Sequence, residues 1–316
     1  MDSMDSLTQI VLGAAVGEAV LGKKVGNKAM VFGAIAGTIP DLDIIARYFT
    51  DTVTAVEVHR GFSHSIFFAI LFAPVFGCLV YKLLPKKEAT WKEWSWLFFW
   101  PFETRLAFQN IFVIDPLYTI PFLVFLVLTL FQKRTSERRR KFNRLGLVVS
   151  SIYLVFTLVL KGISFQKFTQ ALEEQQIVYT DIDTRPAPFN TVLWQANIAT
   201  DDAYLIANYS FFDSKPISFE SYPKNHKFLG DLKHEDKVKR LIKIAEGWYV
   251  ISKENNQLYF NDLRFGLMSL DPKEKDFAFK YQLTNAQGDL EILETPRTVG
   301  DAKNLLSALW SRIWGN

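Results

Sequence analysis

The charge-free run 66–80, inside the apolar stretch 62–84, limits what this chain can fold into more than any other feature. A helix needs about 20 apolar residues to cross a bilayer, and this stretch supplies them. Residues 111–131 read as a second span despite Asp115-Pro116 near their start, and residues 145–160 as a third. Two shorter Gly/Ala-rich segments, 7–21 and 29–39, precede them. Their small residues let two helices approach closely, which predicts a hairpin. Ser6-Leu-Thr-Gln9 fits a capping box that would start the first of them. No basic region precedes that segment and no small-residue cleavage site follows it, so it does not read as a removable signal peptide.

Charge supplies an orientation. The loops 82–92 and 132–144 are basic, and basic loops stay on the cytoplasmic side of a membrane. The segment 40–64 then faces the opposite side. One count fails: two cytoplasmic loops need an even number of crossings between them, yet only one full span separates these two. Trp94-Ser-Trp-Leu-Phe-Phe-Trp100 begins as a spanning helix and stops at Pro101, so a crossing is missing at the Trp100–Pro101 junction. The net charge of +3 and pI of 8.7 are too weak to imply nucleic acid, which leaves the lipid bilayer as the partner the sequence names. The single Cys78 lies in an apolar run and excludes both a disulfide framework and a cysteine metal site.

Beyond Gly162 the apolar runs give way to ordinary soluble sequence. Residues 164–177 have an amphipathic helical pattern and Arg185-Pro-Ala-Pro188 reads as a linker. Strand-like runs follow at 191–198, 204–212, 248–252, 257–260 and 277–283, with helices at 234–244 and 299–314. The predicted fold class is a multi-pass α-helical membrane domain (1–163) followed by a smaller α+β, mostly β, soluble domain. Residues 164–189 would be an amphipathic helix and linker, and 190–316 an extracytoplasmic domain. His226 and His234 lack acidic neighbours at ligand spacing and are assigned to the surface.

Chemistry concentrates in Thr38-Ile-Pro-Asp-Leu-Asp43 and His59-Arg-Gly-Phe-Ser-His-Ser65. Two of the four histidines fall within six residues here, and two aspartates sit two positions apart. Imidazole and carboxylate are divalent-metal ligands, and hydrolytic sites keep one position open for water. Asp41, Asp43, His59 and His64 are the candidate ligands, with Asp5 a further one. Glu18 is a candidate ligand or catalytic base, because an acid inside an apolar helix is costly and tends to be functional. Arg60 and Ser63 would hold an anionic substrate or orient a ligand. Structural readings compete: Pro40-Asp-Leu-Asp43 can open a helix, with proline in its first turn and acids complementing its dipole, and Asp5 can cap one.

These motifs, together with Asp5-Ser-Leu-Thr-Gln9 and Leu12-Gly-Ala-Ala-Val-Gly-Glu18, resemble the YdjM-like family of bacterial inner-membrane, metal-dependent hydrolases. Further resemblance lies in Pro101-Phe-Glu-Thr-Arg105, Ile111-Phe-Val-Ile-Asp-Pro-Leu-Tyr118 and Asn190-Thr-Val-Leu-Trp194, so that it extends over most of 4–215. It implies a multi-pass protein of the bacterial inner membrane that hydrolyses a phosphoester or related ester, lipid among the options, with zinc or manganese as the metal. The resemblance also implies a Thr-His-x-x-x-Asp segment between Trp100 and Pro101, which this chain lacks. An incomplete metal shell would follow, and with it the alternative of a catalytically silent membrane scaffold or partner-binding protein.

Overall fold

Glycine spacing explains the first packing event. In the computed structural model, helix α1 (Asp2–Val25) turns at Gly26 into α2 (Asn27–Thr38), and the two pack back to back. A Cβ on Gly13 would sit 2.4 Å from the Gly33 carbonyl oxygen, and one on Gly17 2.1 Å from that of Ala29. Only glycine permits backbones this close, so the small-residue pattern produces the predicted hairpin. The model describes residues 2–58, 63, 65–99, 108–112, 114–267, 277–286, 289–295 and 302–315. Because α1 starts at Asp2, Ser6 lies inside the helix and does not cap it.

At Pro40 the helix tightens into a 3₁₀ segment, Ile39–Tyr48. Proline removes one backbone donor and its ring clashes with the preceding turn, so the α-helical ladder cannot continue unchanged. Pro40 and Asp41 therefore lie in the first turn of a helical segment, as the structural reading of this motif expects, but the segment is 3₁₀ and follows α2 directly.

Helix α3 (Thr52–Val58) follows, then α4 (Ile66–Leu83), α5 (Trp91–Phe99), α6 (Pro116–Leu130) and α7 (Glu137–Glu174). Phe68, Phe72 and Phe76 of α4 surround Phe98 of α5 at ring-centroid distances of 5.9, 5.2 and 5.8 Å. Among the described residues three stretches are long and apolar enough to cross a membrane, Asn27–Tyr48, Ile66–Leu83 and Glu137–Glu174, and Pro116–Leu130 is a shorter apolar helix. The amphipathic segment expected at 164–177 is no separate element, because α7 runs unbroken for 38 residues. Gly162 costs a helix only about 1 kcal/mol relative to alanine, too little to end one.

Two compact units result. The helical unit comprises Met1–Phe49, Val58–Val159 and Pro188–Asn190; the second comprises Thr50–Glu57, Leu160–Ala187 and Thr191–Asn316. In the helical unit the basic loops gather at one end. Arg134 donates to the Lys23 carbonyl (2.9 Å) and pairs with Glu88 (3.3 Å), and Lys24 pairs with Glu93. At the other end the Thr8 and Thr119 hydroxyls meet at 3.0 Å, and Tyr153 donates to Asp115 at 2.8 Å. Asp115 caps α6 by accepting from the Leu117 and Tyr118 amides. The chain therefore passes from the basic end at Trp91 to the opposite end by Asp115. Helix α5 covers the first nine residues of that passage; the Trp100–Pro101 junction, where a crossing was expected to be missing, lies outside the described residues.

The second unit carries two four-stranded antiparallel sheets, each a simple meander. The first holds β1 (Asp181–Pro186), β2 (Leu193–Ala199), β3 (Ala203–Ser210) and β4 (Glu220–Pro223). The second holds β5 (Tyr249–Glu254), β6 (Gln257–Leu267), β7 (Phe277–Ala286) and β8 (Asp289–Glu294). Arg185-Pro186, read from sequence as a linker, ends β1 opposite Trp194. Proline is tolerated there because β1 is an edge strand. Phe168 and Leu172 of α7 pack on Trp194, Ala196 and Ile198, while Tyr204, Ile206 and Tyr222 share a core with Val250, Leu263 and Phe277 of the other sheet. Helix α8 (Asp236–Ile244) covers the second sheet with Val238 and Leu241, and α9 (Ala302–Ile313) pairs Arg312 with Asp213 at 2.5 Å. His226 is half-buried: its ring stacks on Tyr249 at 4.0 Å and its Nε2 lies 2.9 Å from the Tyr249 carbonyl oxygen. His234 is exposed.

Candidate functional site

The Pro40-induced 3₁₀ segment has no buried residue among its ten, and Asp41 and Asp43 are each half-buried. With three residues per turn, positions 41 and 43 lie a third of a turn apart around the axis. Ser63 donates its hydroxyl to Asp43 Oδ2 at 2.6 Å. That bond joins the aspartate motif to the histidine motif across 20 residues of chain. Two residues on, Ser65 caps α4 by accepting the Phe68 amide at 3.1 Å, which fixes where the motif ends and the helix begins. His59, Arg60 and His64 lie outside the described residues. Among the described residues no group of three or more metal-ligating side chains assembles. The described donors, two carboxylates with a hydroxyl holding one of them, are of the oxygen type that divalent cations accept.

Glu18 is elsewhere. Its carboxylate is buried and receives both arms of Arg139, Nε to Oε1 at 2.7 Å and Nη2 to Oε2 at 2.5 Å. Arg139 spends its remaining donors on Asn27 Oδ1 (2.7 Å), the Gln132 carbonyl (3.1 Å) and Met30 Sδ (3.5 Å). One turn along α7, Asn143 donates to the Ala15 carbonyl at 2.9 Å. Glu18 lies one residue past Gly17, which faces Ala29. Nine residues of α2 separate Ala29 from Thr38, about 14 Å along the axis. Glu18 thus belongs to the basic end, and Asp41 and Asp43 to the other. Asp5 falls within α1 near the latter end, since Gln9 is level with Gly37; its side chain lies outside the described residues.

Sequence reasoning passed over Arg139. It lies in the densest charge run of the chain, which reads as a solvated loop, yet its side chain is fully buried. A signal was present: an acid inside an apolar helix requires a counter-charge. Arg139 and Asn143, four apart, put two polar groups on one face of α7 at the run's apolar border.

Comparison with known families gives one result. Residues 4–99 match the YdjM inner membrane protein family. That stretch contains α1 to α5 and every residue singled out as a candidate for the site, and stops one residue before the Trp100–Pro101 junction. It is narrower than the resemblance over 4–215, and both sheets fall outside it. Neither the curated proteins nor the solved structures contain a match to this chain. Together the family match and the three apolar helices support a membrane location.

Proposed function

We propose that the chain is a multi-pass protein of the bacterial inner membrane that uses a divalent metal, zinc or manganese, to hydrolyse a phosphoester or related ester. The observation that carries this reading is the Ser63–Asp43 hydrogen bond, which brings two ligand-type motifs to one end of the helical unit. Asp41, Asp43, His59 and His64 would hold the ion, and Ser63 would fix the orientation of Asp43. A divalent ion there would supply Lewis acidity and a water acidic enough to attack at neutral pH. Arg60 would neutralise the anionic substrate. The basic loops gathered at the opposite end favour that end as cytoplasmic, which would put the site where outer-leaflet headgroups are in reach and the sheet-bearing domain outside the cytoplasm.

One observation favours a second reading, a membrane scaffold with a structural ion. The Glu18 carboxylate is occupied by Arg139, which removes the base candidate of the first helix from chemistry at Asp41 and Asp43. Metal content of the detergent-purified chain, measured by mass spectrometry beside His59→Ala/His64→Ala, tests the metal site. The expected result is about one ion per chain, absent from the double variant. Chelator-sensitive hydrolysis of a phosphoester then selects the enzyme, and bound metal without hydrolysis selects the scaffold. Equal metal in both samples would sink the site altogether.

A further inference from the structure

Helix α9 turns an apolar face away from the unit it packs on. Leu306, Trp310 and Trp314 recur every fourth residue, so they line one stripe along the helix and its end. They are 54%, 62% and 57% exposed, while Leu305, Leu309 and Ile313 are half-buried. Phe212, 52% exposed just past β3, lengthens the stripe by stacking on Trp314 at a ring-centroid distance of 5.3 Å. Trp310 meets Trp314 edge-on at 5.7 Å.

This surface is held in place and is no frayed end. Arg312 donates to the two Asp213 carboxylate oxygens at 2.5 and 2.8 Å and to the Asn208 carbonyl at 2.9 Å. Asp213 also accepts the Ser210 amide at 2.9 Å, and the Ser210 hydroxyl donates to the Ile313 carbonyl. All of these residues belong to the sheet-bearing unit. Its own bonds therefore fix the helix with the stripe outward, and a contiguous exposed apolar patch marks a contact surface.

Tethering and chemistry say what covers it. Helix α7 is long and apolar enough to cross a membrane, and from Leu160 onward it is part of this unit, packing Phe168 and Leu172 on the first sheet. The unit is thus joined to a bilayer by an unbroken helix, which keeps lipid at high local concentration around it. Tryptophan suits the headgroup level, because its ring is apolar and its N–H is polar. Charge agrees. The segment 302–315 contains Lys303 and Arg312 and no acid, and Asp213, which is bonded to it, is neutralised by Arg312. Nothing on the helix repels anionic headgroups.

We propose that the Leu306–Trp310–Trp314 stripe, with Phe212, is a bilayer-contact surface that seats in the headgroup region and holds the sheet-bearing unit down on the membrane. The inference needs only the membrane location, and the metal site can fail without it.

The test uses the full chain in nanodiscs of phosphatidylcholine and phosphatidylglycerol. Cys78→Ser removes the single native cysteine, so that Leu306→Cys carries the spin label alone. Collision of the label with oxygen, which concentrates in lipid, is compared with collision with a water-soluble nickel chelate. Oxygen should dominate, and Trp310→Ser/Trp314→Ser should reverse the preference while amide exchange in β2 and β3 stays as in the parent. Should the double variant loosen those strands, Trp310→Gln decides, and it should lower the oxygen preference with the strands intact. A parent label that meets the chelate freely overturns the surface. A label shielded from both reagents and dipole-coupled to a second label also overturns it, and assigns the stripe to contact between two copies of the chain. An oxygen preference that survives loss of the indoles in an intact fold overturns it too, because something else then seats the unit.

Discussion

Two acidic regions of the helical unit look alike in sequence and differ in structure. Glu18 and the pair Asp41/Asp43 all sit in apolar, small-residue surroundings. Glu18 is buried and receives two hydrogen bonds from Arg139, whose other donors are also used within the unit. Asp41 and Asp43 lie half-buried on a 3₁₀ segment without a buried residue, and Asp43 accepts from the Ser63 hydroxyl. An acid in apolar sequence is therefore not by itself a sign of chemistry. What separates the cases is burial: Glu18 is enclosed together with its counter-charge, whereas Asp41 and Asp43 stay within reach of solvent. The first arrangement fixes helices, and the second can accept a cation.

The largest effect expected from that contrast is at Arg139. Arg139→Ala strands a buried carboxylate and should lower stability by about 3–5 kcal/mol, read from unfolding of the detergent-solubilised protein. Replacing both partners, as Glu18→Gln/Arg139→Met, should recover most of this, because the charge is then removed along with its partner. A single variant that melts with the wild type would mean that Glu18 is no anchor, and its role as a base would reopen. A next step down is Gly17→Leu, whose side chain would collide with the Ala29 carbonyl. Overpacking of this kind costs about 1–3 kcal/mol, and it should weaken the hairpin that sets Glu18 and the aspartates at opposite ends.

What could be read from sequence follows the range of the interactions. The α1–α2 hairpin was legible because Gly13, Gly17 and the facing small residues form a local pattern. The apolar stretches 62–84 and 145–160 were legible because their signal is composition, whereas 111–131 forms only the shorter helix Pro116–Leu130, and 29–39, read as short, continues past Pro40 into the stretch Asn27–Tyr48. Five of the strands showed through aromatic and β-branched runs, whereas β1, β4 and β8 did not: Asp-Ile-Asp-Thr-Arg-Pro, Glu-Ser-Tyr-Pro and Asp-Leu-Glu-Ile-Leu-Glu carry charge that edge pairing tolerates. The partnership of Glu18 with Arg139 spans 121 residues and has no periodicity to betray it. Likewise nothing local marks α3, since Val53 is apolar without a local reason, and the core that receives it is assembled from residues beyond 228.

Ser63→Ala probes the other side of the comparison. Losing one hydrogen bond to a carboxylate should change global stability by about 1 kcal/mol or less, while zinc affinity should fall about tenfold as Asp43 loses its orientation. A variant with reduced stability and unchanged affinity would place Ser63 with the structural groups, beside Arg139. Wild-type behaviour in both would leave the two motifs joined by contact alone.

The smallest effect belongs to His226, which extends the contrast into the second unit. Burial pushes its pKa below the ordinary histidine value, with Lys224 and Lys233 acting in the same direction and the Tyr249 carbonyl opposing them. The folded protein therefore holds this imidazole neutral at a pH where the unfolded chain, near 6.5, has begun to bind a proton. Stability from this group should be flat above about pH 6.5 and should fall as the pH drops below it, with a slope no steeper than about 1.4 kcal/mol per pH unit. His226→Phe keeps an aromatic face for the Tyr249 stack and removes the titration. Its stability relative to the wild type should rise on acidification from pH 6.5 to 5, measured by denaturant unfolding at a series of pH values. A parallel pH dependence in the two proteins would mean that this histidine titrates alike folded and unfolded. The class of closed polar groups would then be reduced to Glu18 and Arg139.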